Sequence, residues 1–183
     1  GFLEYPEELD KFLYDIYEKA DFRISIKTRI GKESPDEFYR LLEIYNKYPI
    51  EELTIHPRIQ TDYYKNTPNL DKYELAYKES ENKLCYNGDI HSKETYEAFL
   101  ERFPNTDAIM LGRGVIHNPG LVDAFAHGKA LSKDTLYAFH NDILEEYIQI
   151  SSGDRNVLFK MKELWFYMIY LFEDADKIAK KIK

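Results

Sequence analysis

The chain has 183 residues, of which 44% are hydrophobic and 32% are charged, a composition typical of one globular domain or of a domain with a small appendage. Its net charge of −8 argues against a wholly basic nucleic-acid binder, and its single cysteine excludes an internal disulfide and suits a reducing cytosol. No apolar run approaches the roughly 20 residues of a membrane span, and no signal peptide is visible. We therefore expect a cytoplasmic protein that does not associate with a membrane.

The charge is unevenly distributed along the chain. Residues 1–120 hold 16 basic and 23 acidic residues, a net charge of −7, whereas residues 121–183 hold 9 basic and 10 acidic residues. The last third therefore leaves room for a local basic face. The sequence opens on Gly1 rather than on an initiator methionine, and we expect it to be a fragment of a longer protein.

Strands and helices are predicted to alternate through the first 120 residues. The predicted strands begin at residues 23, 52, 83 and 108, so they are 29, 31 and 25 residues apart, a spacing that suits βα units. Apolar residues at helical spacing and N-terminal capping residues predict helices over residues 6–20, 34–45, 70–78 and 92–103. A capping box formed by Ser34 and Glu37 marks the start of the second helix.

The pattern changes after Gly120, where no further strand is evident. Helices are predicted over residues 121–126, 132–150, 156–172 and 174–183. We therefore expect two domains, an α/β domain over residues 1–120 and a helical domain over residues 121–183.

Two of the predicted strands end in polar loops that contain glycine. The third strand runs into the loop Asn87–Asp89 and the fourth into the loop Gly112–Gly114. Glycine lets backbone N–H groups approach a ligand closely, and nearby helix N-termini favour anions. In (β/α)8 barrels the phosphate site commonly lies in the loops after strands 7 and 8. The predicted fold is therefore α/β, the C-terminal half of a TIM (β/α)8 barrel followed by an α-helical bundle.

The predicted strands also place polar side chains at one end of this barrel. Side chains alternate between the two faces of a strand, so we expect the bulky apolar residues to face the outer helices. The interior then receives Lys27, His56, Asn87 and Gly112 at the carboxyl ends of the strands, where barrel enzymes place their sites. A lysine, a histidine, an asparagine and a glycine-flanked arginine suit a phosphorylated, hydrogen-bonding cofactor.

Each of these residues also has a structural explanation when it is taken alone. Lys27 suits a solvated charge, His56 a hydrogen-bonded structural histidine, and Gly112 a turn. Their joint occurrence at equivalent positions of successive units favours a site. The sequence shows no metal-binding spacing, and Cys85 lies in the middle of a predicted strand, where burial argues against a nucleophile.

Five motifs together resemble a known family. The segments SIKTRIG, LTIHPR, YNGDI, IMLGRG and NPGL, in this order and spacing, resemble the second half of tRNA-dihydrouridine synthases. The resemblance implies an FMN-dependent enzyme that reduces uridine to 5,6-dihydrouridine in tRNA, with NADPH reducing the flavin. It also implies that Lys27 and His56 contact the flavin or its ribityl-phosphate chain.

The resemblance further implies roles for the polar loops and for the helical tail. Asn87, Gly88 and Asp89 match the NGD-like loop of the family, and Gly112 with Arg113 matches its phosphate loop, so both loops are expected to hold the cofactor. The candidate tRNA contacts are Arg58, next to the histidine motif, and three basic residues of the tail, Arg155, Lys160 and Lys162. A solvated face of an amphipathic helix explains the tail residues equally well.

One part of the family pattern is absent from this sequence. The catalytic cysteine of the family, which donates a proton to the product, belongs to an N-terminal motif that this sequence lacks, along with four strands of the barrel. We therefore expect the chain to need the N-terminal half of the same enzyme, to be inactive alone, and to be monomeric when complete. Two alternatives stay open: another FMN-dependent TIM-barrel oxidoreductase acting on a small metabolite, and a non-catalytic fragment that binds RNA or a partner chain.

Overall fold

The computed structural model describes residues 1–63 and 65–182. The chain divides into two compact units. Unit 1 comprises Gly1–Asp89 and Phe99–Met110, and unit 2 comprises Ile90–Ala98 and Leu111–Lys183. The predicted end of the last helix, at Lys183, lies outside the described residues.

Unit 1 contains a parallel sheet whose four strands are arranged in chain order. The strands are β1 (Ser25–Arg29), β2 (Glu52–His56), β3 (Leu84–Tyr86) and β4 (Ala108–Ile109). Each neighbouring pair is parallel, which confirms the βα units that the strand spacing predicts. Because all four strands run in one direction, their carboxyl ends meet at the same edge of the sheet, and the loop Asn87–Asp89 begins at this edge.

The helices follow the predicted order, with one addition. The described α-helices are α1 (Pro6–Tyr17), α2 (Glu37–Tyr45), α3 (Leu70–Glu79), α4 (Lys93–Arg102), α5 (Arg113–His117), α6 (Leu121–His127), α7 (Lys133–Ile150), α8 (Asp154–Met168) and α9 (Ala175–Ile182). Short 3-10 helices cover Phe2–Glu4, Gln60–Asp62 and Ile169–Leu171. The sequence does not predict α5. Among the described residues, no helix is both long enough and apolar enough to cross a bilayer.

The start of α2 differs in part from the predicted capping box. The backbone N–H of Ser34 donates to the Glu37 carboxylate over 3.0 Å, which is one half of the predicted box. The Ser34 hydroxyl accepts from the backbone N–H of Asp36 over 3.2 Å instead of from Glu37. The helix therefore begins at Glu37, whose carboxylate also accepts the N–H of Lys32 over 2.6 Å.

β4 is shorter than predicted. The backbone N–H of Met110 donates to the Tyr86 carbonyl over 2.8 Å, the last ladder bond at this end of the strand. Residues 111–120 belong to unit 2, in which α5 packs against α8. The predicted domain boundary at residue 120 stays a prediction.

The core of unit 1 lies between the apolar face of the sheet and its helices. Leu53, Ile55 and Tyr86 are buried on this face. The Tyr73 ring of α3 lies 5.0 Å from the Tyr86 ring and 5.1 Å from the Phe103 ring, both edge to face. The apolar alternation of the strands thus faces the helices, as predicted, and leaves the polar residues on the opposite face.

The described residues of unit 2 form helices and their connections, without a strand, and a small core lies around α8. The buried residues of α8 and the 3-10 turn that follows it are Val157, Met161, Met168 and Ile169. The His117 ring at the end of α5 lies 5.4 Å from the Tyr167 ring and 6.0 Å from the Tyr170 ring. These ring contacts show how α5 is attached to the helical unit.

Candidate active site

The polar face of the sheet carries the predicted site residues of unit 1. In the parallel register Lys27 lies beside Thr54, Arg29 beside His56, and Thr54 beside Cys85. Neighbouring partners in register share a face, so Lys27, Arg29 and His56 all lie on the face opposite the core. Arg29 is absent from the predicted site, although its two-residue spacing from Lys27 puts it on the same face. It is the β1 residue aligned with His56.

His56 is buried among cations and is held in its neutral form. The Arg58 Nη1 atom lies 3.1 Å from His56 Nε2, and a guanidinium can only donate, so Nε2 accepts and the proton of the neutral ring resides on Nδ1. Burial, and then the positive charges of Arg29, Lys27 and Arg58, together lower the pKa of His56 to about 4. At physiological pH His56 is therefore a neutral hydrogen-bonding group in a cationic site.

Arg58 lies inside unit 1 and forms an ion pair with Asp89. Its side chain is 2% exposed, and its Nη1 and Nη2 atoms lie 3.0 Å and 2.5 Å from the two Asp89 carboxylate oxygens. Its Nε donates to the Asn66 carbonyl. The predicted contact of Arg58 with tRNA stays a prediction, but in unit 1 this side chain already has a structural partner in Asp89. The guanidinium joins His56 to the polar loop after β3.

The two cations of β1 stand in different surroundings. The Arg29 guanidinium donates to the carbonyl oxygens of Ile59 and Tyr63 over 2.8 Å and 3.1 Å, which fixes it under the loop after β2. Partial burial, and then the charge of Arg29, lowers the pKa of Lys27. Both effects mean that the site would gain electrostatically from an anionic ligand.

The loop after β3 is organised by its own side chains. The Asn87 amide donates to the Met110 carbonyl over 2.8 Å and so ties this loop to the end of β4. A Cβ atom added at Gly88 would lie 2.0 Å from the Tyr86 hydroxyl and 2.3 Å from its ring carbon Cζ. The need for glycine at this position therefore has a structural cause within unit 1, whatever ligand the loop binds.

The Gly88→Ala substitution is expected to destabilise unit 1 by about 1–3 kcal/mol. The Tyr86 ring is buried and stacks on the Phe99 ring at 4.0 Å, so it cannot move aside to admit a methyl group. Urea unfolding monitored by circular dichroism measures the loss. Gly112→Ala is the matched control, because a Cβ there meets no described atom within 4 Å beyond its chain neighbours. Equal unfolding midpoints for the two variants would contradict this explanation.

The remaining predicted residues belong to unit 2. Gly112 precedes α5 as its N-cap with φ −123° and ψ −104°, and Arg113 is the first residue of that helix. Arg155 and Lys162 are seven residues apart in α8 and so lie on one face, whereas Lys160 is rotated from Arg155 by about 140°. Lys160 lies 3.5 Å from Glu163. Their predicted contacts with cofactor and tRNA stay predictions.

Cys85 has the properties of a structural residue. It is buried in β3, and its burial raises the pKa of the thiol. The thiolate, which is the reactive form, is therefore disfavoured, in agreement with the prediction that Cys85 is not a nucleophile. Within residues 1–63 and 65–182, no group of three or more His, Cys, Asp or Glu side chains could hold a metal ion.

The parallel strands end together beside buried, charged residues. This arrangement is typical of α/β proteins, which bind ligands at the carboxyl edge of the sheet. The family model described as "Dihydrouridine synthase (Dus)" matches residues 1–173. The chain therefore belongs to the dihydrouridine synthase family, and the resemblance drawn from the motifs is confirmed.

Curated relatives carry the same family name. The chain is 28% identical over 120 residues to "tRNA-dihydrouridine synthase B" of Pasteurella multocida, an alignment covering 65% of this chain and 36% of the relative. It is 24% identical over 170 residues to "tRNA-dihydrouridine(16) synthase" of Vibrio parahaemolyticus, covering 90% and 51%. It is 30% identical over 138 residues to "Probable tRNA-dihydrouridine synthase 2" of Bacillus subtilis, covering 68% and 40%. The chain thus spans about half the length of these relatives or less.

Proposed function

We propose that this chain is the C-terminal half of an FMN-dependent enzyme that reduces uridine in tRNA to 5,6-dihydrouridine, with NADPH as the reductant. Membership of the dihydrouridine synthase family supports the reaction, and the names of the relatives support tRNA as the substrate. The four parallel strands in chain order are half the number in a (β/α)8 barrel, and the chain aligns with 36% to 51% of the length of the relatives named above.

The observation that carries the proposal is the neutral His56 among Lys27, Arg29 and Arg58 on the polar face of the sheet. FMN has an anionic phosphate and a ring with several carbonyl and nitrogen hydrogen-bonding atoms. Cationic side chains complement the anionic groups, and a neutral histidine can hydrogen-bond to the ring without adding charge. The donor set on this face therefore fits a flavin nucleotide. When bound, the flavin would supply the hydride that reduces the uridine ring.

The residues of this chain would position the cofactor and the base. Lys27 would bind a negatively charged group of the cofactor at the carboxyl edge of the sheet. Arg58 donates to His56 Nε2 and so keeps the proton of the neutral ring on Nδ1. Asn87 and Asp89 fix the loop that borders the site. Saturating the uracil ring also requires a proton, and buried Cys85 is a poor acid for this step. We assign the proton to the cysteine that the family resemblance places in an N-terminal half.

Cofactor binding tests the site. In protein that carries this chain, Lys27→Ala is expected to weaken FMN binding about 10- to 100-fold, because it removes a charge-assisted contact of about 1.5–3 kcal/mol. Quenching of flavin fluorescence measures the affinity. Lys11→Ala, a change of the same charge at an exposed position of α1, is the control. Equal FMN affinities for the two variants would show that Lys27 does not contact FMN.

The assignment of the proton donor predicts that the 183-residue chain alone does not form dihydrouridine. The chain is incubated with FMN, NADPH and unmodified tRNA, and dihydrouridine is measured by mass spectrometry of the digested tRNA. A protein that also contains the N-terminal half is the positive control. Turnover by the chain alone at the rate of that control would contradict the proposal that an N-terminal half completes the active site. It would also contradict the role given to the cysteine of that half.

A further inference from the structure

The loop after β1 is held together by one carboxylate, that of Glu37 at the start of α2. Its two oxygens accept three consecutive backbone N–H groups, those of Lys32, Glu33 and Ser34, over 2.6, 3.2 and 3.0 Å. A Cβ atom at Gly31 would lie 2.8 Å from Glu37 Oε2, so glycine at this position lets the carboxylate approach the loop closely. The loop therefore takes its shape from Glu37.

The loop after β1 is in turn tied to residues 59–63, the loop after β2. The backbone N–H of Gln60 donates to the Gly31 carbonyl over 2.9 Å, and that of Thr61 donates to the Lys32 carbonyl over 3.2 Å. The Thr61 hydroxyl donates to the same Lys32 carbonyl over 3.3 Å. These three hydrogen bonds couple the two loops, so a displacement of the first loop would also displace the second.

The loop after β2 fixes Arg29 beside His56. The Arg29 guanidinium donates to the carbonyl oxygens of Ile59 and Tyr63 over 2.8 Å and 3.1 Å, and Arg29 is the residue of β1 aligned with His56. Burial is the main cause of the lowered pKa of His56, and the charge of Arg29 comes next. The position of this guanidinium therefore affects the protonation state of the histidine.

We propose that Glu37 is a positioning residue of the site, which fixes the Arg29 guanidinium beside His56 through the two loops. Its action is indirect, because each link is a hydrogen bond to the backbone of one of these loops. The inference rests on the proposed function in taking the polar face of the sheet as the flavin site. If Glu37 served only the start of α2, its loss would lower stability and leave the site unchanged.

Glu37→Gln tests the proposal at its first link. The substitution keeps the shape of the side chain but replaces one acceptor oxygen by an NH2 group, which cannot accept a backbone N–H. Once the loops are released, Arg29 can move away, so the pKa of His56 is expected to rise above about 4. NMR titration of the imidazole in the 183-residue chain measures it. Loss of the Glu37 charge by itself would lower this pKa, so the expected rise has the opposite sign to a direct electrostatic effect.

The same variant is expected to weaken FMN binding about tenfold in protein that carries this chain, because a displaced guanidinium no longer has the geometry that the cofactor needs. Glu43→Gln is the matched control. It removes the same charge from the same helix at a carboxylate that is 66% exposed and pairs with Arg40. This control is expected to change neither FMN affinity nor the pKa of His56.

A double-mutant cycle with Arg29→Ala separates positioning from a general structural role. Arg29→Ala alone is expected to raise the pKa of His56 and to weaken FMN binding. Adding Glu37→Gln to Arg29→Ala is expected to change neither quantity further, because the group that Glu37 positions is already absent. A carboxylate that only stabilised α2 would have the same effect with and without Arg29.

Gln60→Pro breaks the second link and leaves Glu37 in place. Gln60 is the first residue of a 3-10 helix, and Ile59 before it has φ −74° and ψ 164°, so the backbone accommodates proline while losing the N–H that binds Gly31. This variant is also expected to raise the pKa of His56. It provides the test if Glu37→Gln proves unfolded by circular dichroism.

The outcomes separate this inference from the proposed function. An unchanged pKa of His56 in the folded variants would overturn the positioning role, and so would equal effects of Glu37→Gln with and without Arg29. Absence of FMN binding by the wild-type protein would instead contradict the proposed function. The titration of His56 needs no cofactor and would then still decide whether Glu37 positions Arg29.

Discussion

Asp89→Ala is expected to lower the free energy of unfolding by about 3 kcal/mol. The substitution leaves the Arg58 guanidinium, only 2% exposed, without the carboxylate that both of its terminal nitrogens contact. An unpaired buried charge of this kind typically costs 3–5 kcal/mol, and the partial exposure of Asp89, 32%, places the expected value at the lower end. Urea unfolding at pH 7 measures the difference.

The control for Asp89 is an ion pair of the same unit whose carboxylate is exposed. Asp36 lies 2.7 Å from the Lys72 ammonium with its carboxylate in solvent, so Asp36→Ala is expected to cost less than about 1 kcal/mol. A double-mutant cycle of Arg58→Ala and Asp89→Ala then isolates the pairwise energy. A loss for Asp89→Ala no larger than for Asp36→Ala would show that Arg58 finds other partners.

His56 is expected to make the stability of unit 1 depend on pH between about 4 and 6.5. Its pKa is about 4 in the folded state against 6.5 in the unfolded chain, so between these values the unfolded state binds more protons. Stability is therefore unaffected by this group above pH 6.5, falls as the pH is lowered, and has lost about 3 kcal/mol once the pH is below 4.

The measurement compares wild type with His56→Gln by urea unfolding at pH 7 and pH 4.5. Wild type is expected to lose about 2–3 kcal/mol more than the variant between these two values, since glutamine does not titrate. His127→Gln, at an exposed position of α6, is expected to behave as wild type does. A pH dependence that survives in His56→Gln would assign it to the carboxylates of the unit instead.

The site was only partly predictable from the sequence, for a physical reason. Two-residue alternation places Lys27 and His56 on one face, but it does not give the register between strands, and the register is what aligns Arg29 with His56. The pairing of Arg58 with Asp89 joins residues 31 positions apart through two successive loops. Such a contact depends on how the strands are placed side by side, which local patterns do not specify.

Contacts between residues distant in the sequence also explain why β4 ends earlier than predicted. Alternation predicts a strand that continues to Gly112, yet β4 ends at Ile109 because residues 111–120 belong to the helical unit. The packing of His117 against Tyr167 and Tyr170 supplies this attachment, and its residues are about 50 positions apart. In contrast, the helix capped by Ser132 was predictable, because the cap contacts Thr135 within one turn.

The arrangement of the strands in chain order has a consequence for synthesis. Each of β2, β3 and β4 pairs with the strand that precedes it in the sequence. Each of these three strands can therefore pair with a strand that has already been synthesised. As the chain leaves the ribosome from its N-terminus, each βα unit can dock on a surface that already exists. The entropy cost of loop closure is then divided among successive β–α–β crossovers. Little apolar strand surface therefore stays exposed to neighbouring nascent chains.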